Sequence, residues 1–166
     1  LRNVEHSAFN AGEVLKYKLA YGFINAGEAT LSVSKAEKKI HGRDILHMVG
    51  EGRSISAFDW FFKVRDRYET YMDEKGAFPW LFVRRISEGG YNKEQDYKFF
   101  QNNGTVVNQK EEEYEVPHGV QDMLSAFYFA RTLDFQNAKK GQVFEFPAFV
   151  DEEIYPVRMK FVGTKK

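Results

Sequence analysis

The chain of 166 residues is long enough for one domain with a core of its own, and it contains no cysteine, so disulfides, thiolate metal sites and cysteine nucleophiles are excluded. Its 24 basic residues balance 24 acidic ones. Nucleic-acid binders generally carry a basic excess, so no nucleic-acid partner is expected. No apolar run reaches the roughly 18 residues that a membrane-spanning helix needs.

The first predicted element is a β-hairpin. Apolar residues fall on every second position from Leu15 to Phe23 and again from Ala29 to Val33, on either side of an expected turn at 24–27. A period of two is typical of strands with one buried face. The pattern predicts strands over 12–23 and 27–34 and an antiparallel β structure.

After a charged turn and a third strand over 44–51, the pattern changes at 54–62. Ile55, Phe58 and Phe61 are spaced three apart, which predicts a short helix with Ser54 or Ser56 as its N-cap. Alternation then returns, with strands predicted over 64–73, 78–86, 91–101 and 105–110. The acidic run 111–113 is interpreted as a solvated edge or a loop.

A second helix is predicted over 120–135, followed by a hairpin of strands over 142–150 and 154–162. No linker divides the chain, so residues 1–166 form a single β-rich domain. The predicted fold is mainly β: a strongly curved antiparallel sheet or open barrel with two short helices packed on it.

The aromatic residues around 54–62 predict a binding surface. Because consecutive helical residues point about 100° apart, a helix this short cannot bury all of its rings on one side. Phe58 and Phe62 share a face, whereas Trp60 and Phe61 point elsewhere. The residues predicted to form the ligand or partner surface are Phe58, Trp60, Phe61, Tyr71 and Trp80.

A structural ion pair is predicted between Asp66 and Arg131. Alternation places Asp66 on the apolar face that carries Val64 and Tyr68, where an unpaired carboxylate is costly. Arg131 lies on a helix that must pack on the sheet, and an arginine can hold a carboxylate by two parallel bonds. A ligand-anchoring role for Asp66 is the alternative.

No catalytic or metal motif is recognised, and no cofactor is expected. The histidines have no ligand spacing (His6, His41, His47 and His118). Ser125 is surrounded by no nucleophile motif and is interpreted as a small residue at a helix–sheet contact. A glycosidase-like pair of carboxyls is an alternative that sequence spacing cannot test. The candidate acids are Glu13, Glu28, Glu51, Asp66, Glu69 and Asp122.

Three stretches of the chain together resemble a bacterial family, domain-of-unknown-function family 3108. They are GEVLKYKLAYGFINAGEATLSV, SISAFDWFFKVRDRYETYMD and QDMLSAFYFARTL. The resemblance implies an exported protein of a Gram-negative envelope, with a curved antiparallel sheet and no assigned reaction. It also implies further strands after Lys166, so the chain is either a short member or lacks its tail. A start at Leu1 fits a removed signal peptide, although trimming for another reason explains it equally well.

These observations predict a periplasmic or exported, non-catalytic envelope protein that binds a hydrophobic or amphipathic ligand, either a lipid or a lipoprotein segment. The first alternative is a structural or protein-interaction module with a filled core. The second is a carbohydrate hydrolase. A cavity lined by aromatic residues would favour the ligand-binding protein. Exposed rings over a packed interior would favour the interaction module, and paired carboxylates in a cleft would favour the hydrolase.

Overall fold

A computed structural model describes residues 1–164, with the backbone alone described at Tyr21. The described residues form ten strands and two helices: β1 (Val14–Tyr21), β2 (Ile24–Lys35), β3 (Ile45–Ser54), α1 (Ser56–Asp59), β4 (Arg65–Asp73), β5 (Pro79–Glu88), β6 (Tyr91–Phe100), β7 (Thr105–Asn108), β8 (Glu113–Glu115), α2 (Met123–Arg131), β9 (Val143–Val150) and β10 (Glu153–Lys160).

Eight strands form one antiparallel sheet in the order in which they occur along the chain, from β1 to β8. Every neighbour in the sheet is therefore a neighbour in sequence, which keeps the connections short. β9 and β10 form a separate hairpin. The predicted mainly β, antiparallel architecture with two helices is confirmed. Within the described residues β1 and β8 are sheet edges that do not pair with each other.

The main core lies on one face of the sheet, which we call the inner face. Alternation along β3, β4 and β5 directs Met48, Met72 and Phe82 to this face. The N-terminal segment, α2 and the β9–β10 hairpin cover it through Phe9, Tyr128 and other buried residues, among them Leu124, Phe146 and Phe149. The opposite face, here the outer face, is mostly polar.

A smaller cluster lies on the outer face at one end of the sheet. Ile45, Phe78 and Trp80 are buried there, with Ile40 and Tyr71 packed against them. This second cluster buries rings that the sequence assigned to a surface.

The first turn and first helix differ from their predicted positions. The β1–β2 turn is Gly22-Phe23, where Gly22 has φ 62°, and Ile24 to Gly27 continue the strand. α1 has only four residues, none of them buried, so it does not pack on the sheet as expected. Its N-cap is Ile55 rather than a serine, and it has no side-chain cap. The Ser54 hydroxyl instead accepts from the Val64 N–H at 2.8 Å and donates to Asp59.

The acidic run 111–113, predicted as a solvated edge or a loop, leads into the short edge strand β8, where Tyr114 pairs with Val106 of β7. In the described part of the chain, no helix combines the length and apolar composition needed to cross a membrane.

Candidate functional site

An apolar cleft opens on the inner face between the sheet and the start of α2. Its volume is about 260 Å³. Two glycines of β3, Gly50 and Gly52, form its floor, because their missing side chains leave the middle of the sheet uncovered. The other lining residues are Ala29, Leu31, Glu51, Asp66, Tyr68, Met123 and Leu124. Apart from Asp66, the side chains that alternation directs to this face are apolar.

The two floor glycines differ in the space around them. A Cβ at Gly50 would lie 3.0 Å from Leu31 Cδ2 and 3.6 Å from Leu124 Cδ1. A Cβ at Gly52 would meet only Asp66 Cβ, at 4.0 Å. The cleft is therefore narrow at Gly50 and open at Gly52.

The start of α2 is fixed over the cleft by its N-cap, Asp122. The Asp122 carboxylate accepts from the backbone N–H groups of Leu124, at 2.8 Å, and Ser125, at 2.7 Å, and from the Thr70 hydroxyl of β4, at 2.9 Å. Ser125 completes a capping box by accepting from the Asp122 N–H at 2.8 Å. Ser125, expected to be a spacer, is thus part of the cap. The cap joins helix and sheet and positions Met123 and Leu124 beside the cleft.

Asp122 is fully buried, and burial raises the pKa of its carboxyl to about 7, against the opposing effect of the hydrogen bonds it accepts. Its second oxygen, Oδ2, has no hydrogen-bond partner within residues 1–164. The site therefore contains a buried carboxyl whose charge changes near neutral pH.

Asp66 is the polar group of the cleft. It accepts from the Ser87 N–H at 3.2 Å. Desolvation by burial raises the pKa of Asp66, and the neighbouring Glu88 carboxyl raises it further. Asp66 can therefore donate a hydrogen bond to a ligand more readily than an ordinary aspartate.

The predicted ion pair between Asp66 and Arg131 does not form. Arg131 instead donates to Glu13 through Nη1 and Nη2, both at 2.7 Å, and to the Ala8 carbonyl at 2.6 Å. Asp66 lies by the first residues of α2, whereas Arg131 is its last residue, about 12 Å farther along the helix. The sequence correctly predicted that a carboxylate binds Arg131, but this carboxylate belongs to Glu13 and not to Asp66.

Exposed aromatic side chains collect at one end of the sheet, where three connections meet. We call this the aromatic end; it comprises Phe23, Trp60, Phe61, Phe62 and Tyr91. Phe23 is fully exposed, Trp60 is 84% exposed and Phe61 is 73% exposed. Of the predicted surface residues, Trp60 and Phe61 lie here, and Phe58 is half-buried beside Phe61, with ring centroids 6.4 Å apart.

Backbone hydrogen bonds hold the three connections together. The Ile55 N–H donates to the Ala26 carbonyl of the first hairpin at 3.1 Å, and the Gly89 N–H donates to the Lys63 carbonyl at 2.9 Å. Phe62 packs over Gly89, where a Cβ would come within 2.2 Å of its ring. The exposed rings are therefore carried by connections that backbone hydrogen bonds hold together.

The other two predicted surface residues do not belong to the aromatic end. Tyr71 stacks on His47, with ring centroids 4.4 Å apart, and Trp80 is only 5% exposed. Trp80 donates to the buried carboxylate of Asp73 at 3.2 Å. Both belong to the outer-face cluster at the far end of the sheet, so their assignment to a common surface with Trp60 was wrong.

The outer face holds a larger groove, of about 690 Å³, lined by arginines and acids. Its arginines are engaged by carboxylates: Arg53 by Glu28, Arg65 by Asp59, Arg67 by Glu51 and Glu69, and Arg85 by Asp96. Largely exposed ion pairs of this kind stabilise a protein surface only modestly. They also engage three of the six acids considered for a glycosidase-like pair, namely Glu28, Glu51 and Glu69.

Among residues 1–164 no group of three or more histidine, aspartate and glutamate side chains is arranged to hold a metal ion. His47 bonds Glu69 at 2.7 Å, and His118 bonds the Gln101 carbonyl at 2.8 Å.

Sequence reasoning missed the cleft itself. Gly50-Glu51-Gly52 interrupts an otherwise apolar strand, and glycine inside a strand indicates a close approach or an open space. Phe23 was missed because the first turn was placed three residues too late.

Comparisons with curated proteins and with solved structures find no match for this chain. The family profile described as a protein of unknown function, DUF3108, matches residues 16–166. The chain therefore belongs to the DUF3108 family.

Proposed function

We propose that the protein is a non-catalytic, exported protein of the bacterial envelope that binds a hydrophobic or amphipathic ligand, a lipid or a lipoprotein segment, in the inner-face cleft. The observation that carries the proposal is the cleft over Gly50 and Gly52, with its apolar walls. A site of about 260 Å³ is slightly smaller than common small-molecule pockets and suits one slender apolar chain.

The polar end of such a ligand would lie at Asp66. Arg84 adjoins this position, because its guanidinium lies 5.7 Å from the centre of the Tyr68 ring, which lines the cleft. Asp66, whose pKa is raised by burial, suits a hydroxyl or another hydrogen-bonding head group better than a second alkyl chain, whereas Arg84 already pairs with Asp151 at 3.0 Å.

Two further features belong to the same proposal. A strong curvature of the sheet towards α2 would shelter the cleft from water. Export to the periplasm is what the resemblance in the three sequence stretches implies, and a lipid or lipoprotein ligand is abundant there.

A protein-interaction module is the second candidate. The filled interior favours it, because Phe9, Tyr97 and Phe149 are buried where a larger cavity would otherwise lie. The rings of Trp60 and Phe61, exposed over this packed interior, favour it as well.

Native mass spectrometry of protein purified without detergent from bacterial envelope fractions tests the choice. A co-purified lipid, lost in Gly52→Leu and retained in Ser34→Leu, is the expected result. The Gly52→Leu side chain would fill the open half of the cleft, whereas Ser34 is exposed on the outer face of β2. A bound protein chain of fixed stoichiometry and no lipid would support the module instead.

A further inference from the structure

The aromatic end has the features of a surface that meets a lipid bilayer. Its rings lie on three tips, the β1–β2 turn, the β3–β4 connection and the β5–β6 turn, and they project into solvent. Trp60 and Phe61 pack edge to face on each other, with ring centroids 4.9 Å apart, and do not turn back onto the domain. Exposed large rings gathered at one end of a molecule indicate an interaction surface.

The charges beside these rings favour an anionic partner. The nearby acids Glu28 and Asp59 already accept from Arg53, at 2.9 Å, and Arg65, at 2.6 Å. By contrast, Lys16, Lys18 and Lys63 form no ion pair within residues 1–164. Two acids near this end, Glu88 beside Gly89 and the neighbouring Asp66, also form no ion pair within residues 1–164, so the unpaired lysines exceed the unpaired acids by one. Basic residues next to aromatic rings are typical of surfaces that bind anionic lipid headgroups.

The shape of the aromatic end favours a bilayer over a protein as its partner. The core of a protein interface is packed as densely as a protein interior, which demands complementary surfaces. Phe23 and Trp60 stand on separate tips, and a fluid bilayer surface can receive both without a matching shape. Trp and Tyr, with an apolar body and a polar edge, are the residues that settle at the membrane–water boundary.

The position of the cleft fits this arrangement. Gly50 is four residues from Ser54 along β3, which corresponds to about 13 Å. Gly52 and Asp66, on the open side of the cleft, are nearer still to the aromatic end. Docking by this end would bring the cleft opening close to the headgroups.

We propose that the aromatic end docks the protein onto the surface of a bilayer containing anionic phospholipids, with Phe23, Trp60 and Phe61 entering the headgroup region. The inference goes beyond the proposed ligand binding, because docking and cleft occupancy are separate properties that different substitutions remove.

Sedimentation with large unilamellar vesicles tests it, using equal parts of phosphatidylcholine and phosphatidylglycerol, and phosphatidylcholine alone. We expect the full chain to partition onto the anionic vesicles and the double variant Trp60→Ser/Phe61→Ser to lose about tenfold or more in partitioning, since binding scales with buried apolar area. Lys63→Glu should weaken binding to the anionic vesicles and not to the neutral ones.

Phe100→Ser is the matched control. Phe100 is 42% exposed at the opposite end of the sheet, so its loss should leave partitioning unchanged. Gly52→Leu should also bind vesicles normally, which separates docking from ligand binding. Thermal melting of each variant monitors folding.

The emission of Trp60 gives a second readout. The chain has two tryptophans, and the other, Trp80, is buried. A blue shift on addition of anionic vesicles, absent in Trp60→Ser, is expected. Absence of vesicle binding, equal binding by the double variant, or a dimer in solution that the double variant dissociates would each overturn the proposal, and the last would assign the aromatic end to a contact between proteins.

Discussion

Arg131 at the end of α2 holds the Glu13 carboxylate by two hydrogen bonds of 2.7 Å, one from each terminal nitrogen. The pair connects residues that are 118 positions apart and joins the helix to the residue before β1. With Asp122 fixing the first turn of α2 to β4, both ends of the helix are tied down. The cleft beside Met123 and Leu124 therefore has a fixed wall.

We predict that Glu13→Gln lowers the free energy of unfolding by about 1–2 kcal/mol, because it weakens hydrogen bonds to a charged, partly buried group. Glu145→Gln is the control, since Glu145 pairs with Arg158 at an exposed site and should contribute little. Urea denaturation followed by circular dichroism measures both. Equal effects of the two substitutions would contradict the structural role of the pair.

The same pair predicts a dependence on pH. The Arg131 hydrogen bonds hold the pKa of Glu13 below its ordinary value of about 4.3. The stabilisation is therefore fully present above that value and is lost as the pH falls through the lowered pKa. Wild type and Glu13→Gln should converge in stability in that acid range, and a constant difference would contradict this.

The raised pKa of Asp122 predicts a pH dependence of stability that is opposite in sign to that of Glu13. Burial raises its pKa to about 7 in the folded protein, so between about pH 4 and about pH 7 the folded state holds a proton that the unfolded state has released. Its contribution to stability falls as the pH rises through this window.

The stability of Asp122→Asn relative to wild type should therefore increase as the pH rises from about 4 to about 7 and stay constant above that, because asparagine can still accept the cap hydrogen bonds but never ionises. Urea denaturation at several pH values measures this shift. Asp134→Asn, at an exposed position, is the control and should show no such shift. A difference between wild type and Asp122→Asn that stays constant with pH would show that Asp122 does not titrate in this range.

The two tryptophans predict contrasting effects on stability. Trp60→Ser should change the free energy of unfolding by no more than about 0.5 kcal/mol, as is usual for exposed sites. Trp80→Ser should cost about 3–5 kcal/mol, because it empties a buried site and removes the hydrogen bond to Asp73. Similar effects in urea denaturation would contradict the placement of one ring in solvent and the other in a core.

Asp73 is the polar centre of the outer-face cluster. It accepts from Arg43 Nη2 at 2.8 Å, from the Gly76 N–H at 2.6 Å and from Trp80. Asp73→Ala should destabilise the protein by about 3–5 kcal/mol, since it leaves Arg43 and a buried donor without their acceptor. Asp44→Ala, which removes an exposed pair with Lys39, should have little effect. Thermal melts of the two variants that coincide would contradict this role.

Alternation in sequence was sufficient to place most of the sheet, because one buried face imposes a period of two that residues such as Met72 and Thr70 display directly. It failed where long-range packing decides. Trp80 lies beside a register shift between β4 and β5 and turns to the outer face, which no local pattern announces. Several acids were possible partners of Arg131 in the sequence. The direction in which α2 lies on the sheet decides that its partner is Glu13.

The candidate site was harder to predict than the fold because it consists of missing side chains. Gly50 and Gly52 become a cleft only when α2 lies across β2 and β4, and the sequence does not give the position of the helix on the sheet. The exposure of Trp60 and Phe61 was predicted correctly, because four aromatic residues cannot share the buried side of one short helix.

Titration with N-phenyl-1-naphthylamine, an uncharged probe that fluoresces in apolar surroundings, tests the central claim most directly. We predict saturable binding to the wild type and to Ser34→Leu. In Gly52→Leu the dissociation constant should rise by about tenfold or more, equivalent to about 1.4 kcal/mol, because the new side chain occupies the cleft. Binding that is equal in all three proteins, or absent from the wild type, would contradict the assignment of the inner-face cleft as a ligand site.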